Sequence, residues 1–222
     1  MNTSSPTYDP PLLQPSPLHV SELFQAACDY VERATKLSLD QSEESLAYVD
    51  HYVRTLRGDK TPSDAVLDLV SAALGVYLGE LLLSRFGGRW LAIPTMPEEP
   101  ASETAVLDSI SDPATWRIEL SCAPLLCDPV LWARQALAFA TNPSAGLEGD
   151  AESGDAESGD AESGGLHVHP SHEEFVAKAL ARMAPVREET FYSFTGRFET
   201  VCYVVELLQA KFCEPREENL ET

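Results

Sequence analysis

Basic residues are scarce in this chain. Lys and Arg together number 15 against 36 Asp and Glu, a formal charge of −21 over 222 residues. Nucleic-acid phosphates and anionic membrane surfaces are held by clustered Lys and Arg, so neither is expected as a partner. A basic protein is the complementary surface. Long apolar runs are lacking too. The longest, Val76 to Leu83, is interrupted by Gly79 and Glu80, and no membrane span is expected. Residues 1–17 are polar and proline-rich, with neither a basic start nor an apolar stretch, so no secretory signal is read there. Cys28, Cys122, Cys127, Cys202 and Cys213 are an odd number at scattered spacings. That pattern fits reduced thiols in a cytoplasm rather than a disulfide framework.

The motifs of common enzymes are also missing. The chain has no Gly-x-Ser-x-Gly elbow, no dinucleotide glycine fingerprint and no glycine loop ending in Gly-Lys-Ser/Thr. No close pair of carboxylates sits in a setting that argues for acid–base work. No catalytic, cofactor-binding or metal-ligating residue is assigned, and the chain is read as not an enzyme.

Hydrophobic residues make up 44% of the chain, enough for a packed core. The acidity is uneven. Seven carboxylates and no base lie between Glu148 and Glu162, and the tail from Glu214 holds four acids against Arg216; these two segments carry ten units of the −21, leaving −11 elsewhere. Gly-Asp-Ala-Glu-Ser occurs three times from Gly149 to Ser163, with no large apolar residue, as in a self-repelling linker.

The periodicity predicts a helix from Leu18 or Ser21 to about Leu37. A second is predicted from Asp40, with Asp40 and Glu43 as a capping box and Gly58 as its stop. Thr61-Pro62-Ser63-Asp64 reads as the start of a third, running to Phe86 and apolar nearly all round in its second half. Trp90–Ile93 and Trp116–Leu120 read as two short strands on that buried helix. Asp128-Pro129 opens a further helix. After the linker, Ser171-His172-Glu173-Glu174 reads as a second capping box for a helix ended by Pro185. A last helix runs from about Arg187 or Arg197 to Phe212, with residues 190–198 open between strand and helix.

The expected fold is therefore α+β and predominantly helical: helices on a small antiparallel sheet, plus a C-terminal helical pair after a disordered acidic linker. The divisions are 1–17, a disordered arm; 18–141, an α+β domain; 142–165, the acidic linker; 166–214, a helical unit packing on the first domain; and 215–222, a tail.

Two clusters carry chemistry worth weighing. His167, His169 and His172, followed by Glu173 and Glu174, supply three imidazoles within six residues, a donor set for Zn²⁺ or Ni²⁺. The cluster lies where the linker meets a helix start, so nothing obvious fixes its geometry. Glu80 sits inside an apolar helical run, where a carboxylate needs a partner. Arg85, Arg89 and Arg117 are the candidates. Gly75 and Gly79 lie on one face of that helix and admit a close neighbour. Trp90, Trp116 and Trp132 read as core residues, and the cysteines as buried, unreactive thiols.

Gly75-Val76-Tyr77-Leu78-Gly79-Glu80 and Gly88-Arg89-Trp90 resemble a pattern in uncharacterised small bacterial α+β domains: a Gly-x-Tyr-x-Gly-Glu helix, then a strand beginning Gly-x-Trp. The resemblance covers about residues 40–140 and implies a small α+β bacterial module without an assigned activity. The functional expectation is a non-catalytic acidic protein-binding module of a bacterial cytoplasm, of the immunity or inhibitor type, with a basic protein as partner. The alternative is a metal-binding protein or metal-dependent enzyme using His167, His169 and His172. Mimicry of nucleic acid ranks last, because much of the acidity lies in linker and tail.

Overall fold

The computed structural model describes residues 14–56, 62–93, 111–141, 164–182 and 187–213. Within them the fold is mostly helical α+β. The helices are α1 (Pro17–Thr35), α2 (Leu46–Thr55), α3 (Asp64–Phe86), α4 (Pro129–Thr141), α5 (Pro170–Leu180), α6 (Glu188–Phe191) and α7 (Phe194–Cys213). The strands are β1 (Gly88–Ala92), β2 (Trp116–Leu120), β3 (Leu125–Cys127) and β4 (Leu166–Val168). The strands form one antiparallel sheet in the order β1-β2-β3-β4.

Helix α3 lies at the centre because it has almost no polar face. Every residue from Val70 to Gly79 is buried, as are Leu81 and Leu82. Helices α1, α4 and α7 and strand β2 pack around it. By length and composition α3 is apolar enough to cross a membrane, with a mean hydropathy of 1.8 in its most apolar window. Its neighbours bury 67% of that window, as they do for the core helix of a layered domain. Fully burying a Leu or Val is worth about 1.5–3 kcal/mol, so this one helix concentrates much of the driving force.

The two expected glycines set how closely the neighbours approach. A Cβ on Gly75 would lie 2.5 Å from Val130 Cα and 2.9 Å from the Pro129 carbonyl oxygen. The start of α4 is therefore seated directly on the α3 backbone. A Cβ on Gly79 would lie 2.4 Å from the Trp90 ring.

The sheet alternates as a half-buried sheet must. Trp116, Ile118 and Leu120 of β2 face the helices and are buried, whereas Arg117 and Glu119 are partly exposed. Trp90 pairs with Ile118, Ile118 with Cys127, and Leu125 with Val168, which extends the apolar face across all four strands. Two of these strands were not expected. β3 and β4 are three residues each, too short to show a period of two. β4 also means that the C-terminal segment contributes a strand as well as helices.

Several local expectations are corrected. Asp40 does not cap α2. Gln41 takes a φ of 62°, which breaks a right-handed helix, and Asp40 instead accepts from the Ser42 N–H at 3.0 Å in a turn. Helix α2 begins only at Leu46. Helix α3 begins at Asp64 behind Ser63, and Pro62 precedes it. Helix α5 begins at Pro170, whose ring is suited to a first helical position, so the cap is His169 rather than Ser171. Residues 190–198 are helical except for a turn at Tyr192 and Ser193: α6 ends at Phe191 and α7 starts at Phe194. Pro15 is buried and Pro17 opens α1, so ordered structure starts before Leu18. Thr61, Gly58, Pro185, residues 142–163 of the linker, and the tail lie outside the described residues.

The C-terminal helices are tied to the first part by two polar contacts. Asp50, on α2, accepts from the Phe194 N–H at 2.7 Å, the Thr195 N–H at 3.3 Å and the Thr195 hydroxyl at 2.7 Å. A carboxylate from 144 residues earlier thus satisfies the first amides of α7 and complements its dipole. Arg197 is the second. It is 7% exposed, donates to Gln135 Oε1 at 2.8 Å and lies 4.2 Å from the centre of the Phe191 ring. Its Nε has no acceptor among the described residues. Burial lowers its pKa to about 10, so the guanidinium is still charged at neutral pH.

Gly75→Ala is expected to lower stability by about 1–3 kcal/mol despite the better helix propensity of Ala, because the added methyl meets backbone that cannot rotate away. Denaturant unfolding checks this; an unchanged or raised midpoint would show that α4 is not seated on Gly75. Asp50→Ala is expected to cost about 1–2 kcal/mol and to expose the first amides of α7 to hydrogen exchange ahead of the rest of the helix. Unaltered protection at Phe194 and Thr195 would refute the capping role.

Candidate functional site

The Gly75–Glu80 segment gathers its polar groups on one side of α3. Tyr77 is fully buried, yet its hydroxyl has two partners: Ser45 Oγ at 2.5 Å and the Gln41 N–H at 3.2 Å. Burial raises the Tyr77 pKa, against the effect of those hydrogen bonds, so the phenol stays neutral. Phe24 stacks on the same ring at 5.3 Å. Tyr77 therefore anchors the turn before α2 and a residue of α1 to the central helix.

Glu80, one turn further along, has a different partner from those expected. Its Oε1 accepts the Trp90 indole N–H at 2.7 Å. The three arginines proposed for it are engaged elsewhere: Arg85 with Glu43, Arg89 with Glu119 at 2.8 Å, and Arg117 with Asp128 at 2.7 Å. The reason is geometric. Arg89 and Arg117 lie on the outer face of the sheet, opposite the face that packs on α3, whereas Trp90 points inward beside Gly79. Glu80 has no basic partner among the described residues.

A cleft of about 360 Å³ opens at this carboxylate. Pro15, Pro17, Val20 and Phe24 give it an apolar wall, Trp90 an aromatic one, and Gln14, Ser21 and Gln41 a polar rim. Glu80 is its one ionisable lining residue among the described residues. The carboxylate was legible in the sequence, but the wall from Gln14 to Phe24 was not. It comes from a segment read partly as a disordered arm; residues 14–17 of that arm are placed, with Pro15 buried, while residues 1–13 lie outside the described residues.

A second cleft, about 250 Å³, lies between α2, α4 and the α6–α7 junction. One of its two acidic residues, Asp50, already holds the start of α7. Its cation, Arg54, donates to the Asp50 carbonyl at 3.0 Å. Glu189 also lines it, so this cleft too is acidic, but Asp50 and Arg54 are already engaged.

The three histidines do not converge. His167 Nε2 lies 3.0 Å from Asp128 Oδ2, on the outer side of the sheet. His169 Nδ1 caps α5, 2.8 Å from Ser171 Oγ. His172 Nδ1 faces Lys211 Nζ at 3.2 Å. Partial burial, then Lys211 and His169, push the His172 pKa below its ordinary value. No group of three metal-binding side chains occurs among the described residues. Asp128 holds two side chains, since Arg117 reaches its other oxygen. That contact is a close ion pair rather than an aligned hydrogen bond, because Oδ1 has no hydrogen-bond partner in geometry.

Cys28, Cys122, Cys127 and Cys202 are free thiols, and burial raises the pKa of each, that of Cys127 furthest. A thiol held protonated is a poor nucleophile. Trp90, Trp116 and Trp132 are all buried in the core.

Tyr77→Phe is expected to cost about 1–2 kcal/mol, because it leaves Ser45 and the Gln41 amide without their common partner. Thermal unfolding checks this; a loss below a few tenths would mean that water replaces the hydroxyl. No family model matches the chain, and no curated protein or solved structure matches it.

Proposed function

We propose that the protein is a non-catalytic acidic module that binds a basic protein partner, as an immunity or inhibitor protein of a bacterial cytoplasm does. The observation that carries this reading is the disposition of its few cations. Arg33, Arg85, Arg89, Arg117, Arg134 and Lys178 each lie within ion-pair distance of one of the chain's own carboxylates. Arg197 is buried. Lys36, Arg54, Arg182, Arg187 and Lys211 lie outside the ion pairs found among the described residues, but with 36 acids and 15 bases in the chain carboxylates still outnumber the cations left to meet a partner. Such a surface steers a basic protein inward and repels nucleic acid. The metal-dependent alternative through His167, His169 and His172 has no comparable support, because each imidazole is engaged by a different element.

The test is affinity capture from native lysate at low salt, followed by reconstitution with the purified partner. The expected result is a stoichiometric complex whose association slows on the order of tenfold or more as ionic strength rises from about 0.02 to 0.3 M. Recovery of no stable partner, or an association rate indifferent to salt, overturns the reading.

A further inference from the structure

We propose that the Glu80 cleft receives the ε-ammonium of a lysine side chain from that basic partner; the inference rests on the protein-binding reading above and names the group that the site takes. Three observations converge on it. Glu80 is a partly buried carboxylate with no basic partner among the described residues, while Arg85, Arg89 and Arg117 are all paired with other acids. The cleft at its side holds about 360 Å³ and is walled by Pro15, Pro17, Val20, Phe24 and Trp90. Residues 1–13, which lead into that wall, contain no Lys or Arg, so they bring no side-chain cation of their own.

The chemistry of the wall selects the occupant. A lysine is a methylene stem with a compact charge at its tip, and such stems lie along apolar and aromatic surface while the charge finds an acceptor. An anionic or neutral polar ligand would meet Glu80 as a repulsive or indifferent end. Arginine fits less well. One carboxylate oxygen already accepts the Trp90 indole N–H, whereas a guanidinium fork uses both oxygens at once. A point charge needs only the second oxygen. The Trp90 bond also holds the carboxylate in place before anything arrives, which reduces the ordering cost of binding.

The probe is hexalysine, titrated into the ¹⁵N-labelled full chain, with the fully ε-acetylated peptide and hexa-arginine as comparisons. The Trp90 indole resonance is expected to shift with hexalysine, while the Trp132 indole, which donates to the Gly164 carbonyl, stays still. Glu80→Gln should weaken hexalysine roughly tenfold or more, and Glu119→Gln, on the outer sheet face, less than about twofold. Gln retains an oxygen for the Trp90 N–H, so E80Q keeps the local fold, which its unfolding midpoint verifies. Ser21→Lys places an ammonium at the rim and is expected to block the peptide from within. Equal losses in E80Q and E119Q, an unmoved Trp90 resonance, or tighter binding of hexa-arginine overturns the assignment. So does a Trp90 shift produced by n-butylamine but not by hexalysine, which would mark a small-amine site. The two readings fail separately. A natural partner captured equally well by wild type and E80Q removes the cleft and leaves protein binding intact. Hexalysine seated at Trp90 with no partner recoverable from lysate removes the protein-binding reading alone.

Discussion

Helix α3 and the start of α4 meet main chain to main chain at Gly75, where Val130 Cα lies 2.5 Å from where a side chain would begin. Much else depends on that contact. It sets the depth at which α4 lies, and α4 carries Trp132, Ala133, Ala136 and Leu137 into the core. Asp128, immediately before α4, is thereby held at the end of β3, where Arg117 and His167 reach it from the neighbouring strands. One turn along α3, Gly79 does the same for Trp90, whose ring fills the space and whose N–H then meets Glu80. The sheet and the cleft are both positioned from a single helix.

The second organising contact runs between distant parts of the chain. Asp50 reaches the N-terminus of α7, and Arg197, one turn into that helix, bonds to Gln135 on α4. A charge buried without a carboxylate is costly, and aromatic rings only partly offset the lost hydration. Phe191, Tyr192 and Trp132 surround this one within 6 Å. The arrangement makes the last helix part of the same core as α2 and α4 instead of a tethered appendage.

Long, strongly periodic elements were legible in the sequence: α1, α3, α4 and the strands at Trp90 and Trp116. The role of Gly75 and Gly79 was legible too, because small residues four apart on an apolar helix imply a close neighbour. Helix starts were less so. Asp40 and Ser171 have the residue types of capping boxes, but a left-handed Gln41 and the ring of Pro170 decided the backbone path there. The partner of Glu80 could not be read at all. Choosing between three arginines and an indole requires knowing which face of β1 and β2 meets α3. The cleft wall was hidden for a related reason: a proline-rich start looks the same in sequence whether or not Pro15 finds a surface to cover.

Gly75 and Gly79 look equivalent in sequence, yet they constrain what can evolve around them differently. The obstacle at Gly79 is a side chain, the Trp90 ring. A larger residue there is admissible in any relative that also shortens position 90, at the expense of the donor to Glu80. The obstacle at Gly75 is main chain, which no exchange of side chains removes. Among descendants of this sequence, position 79 is free to drift as one member of a covarying pair with position 90, whereas position 75 has no compensating partner and stays invariant unless α4 itself is displaced.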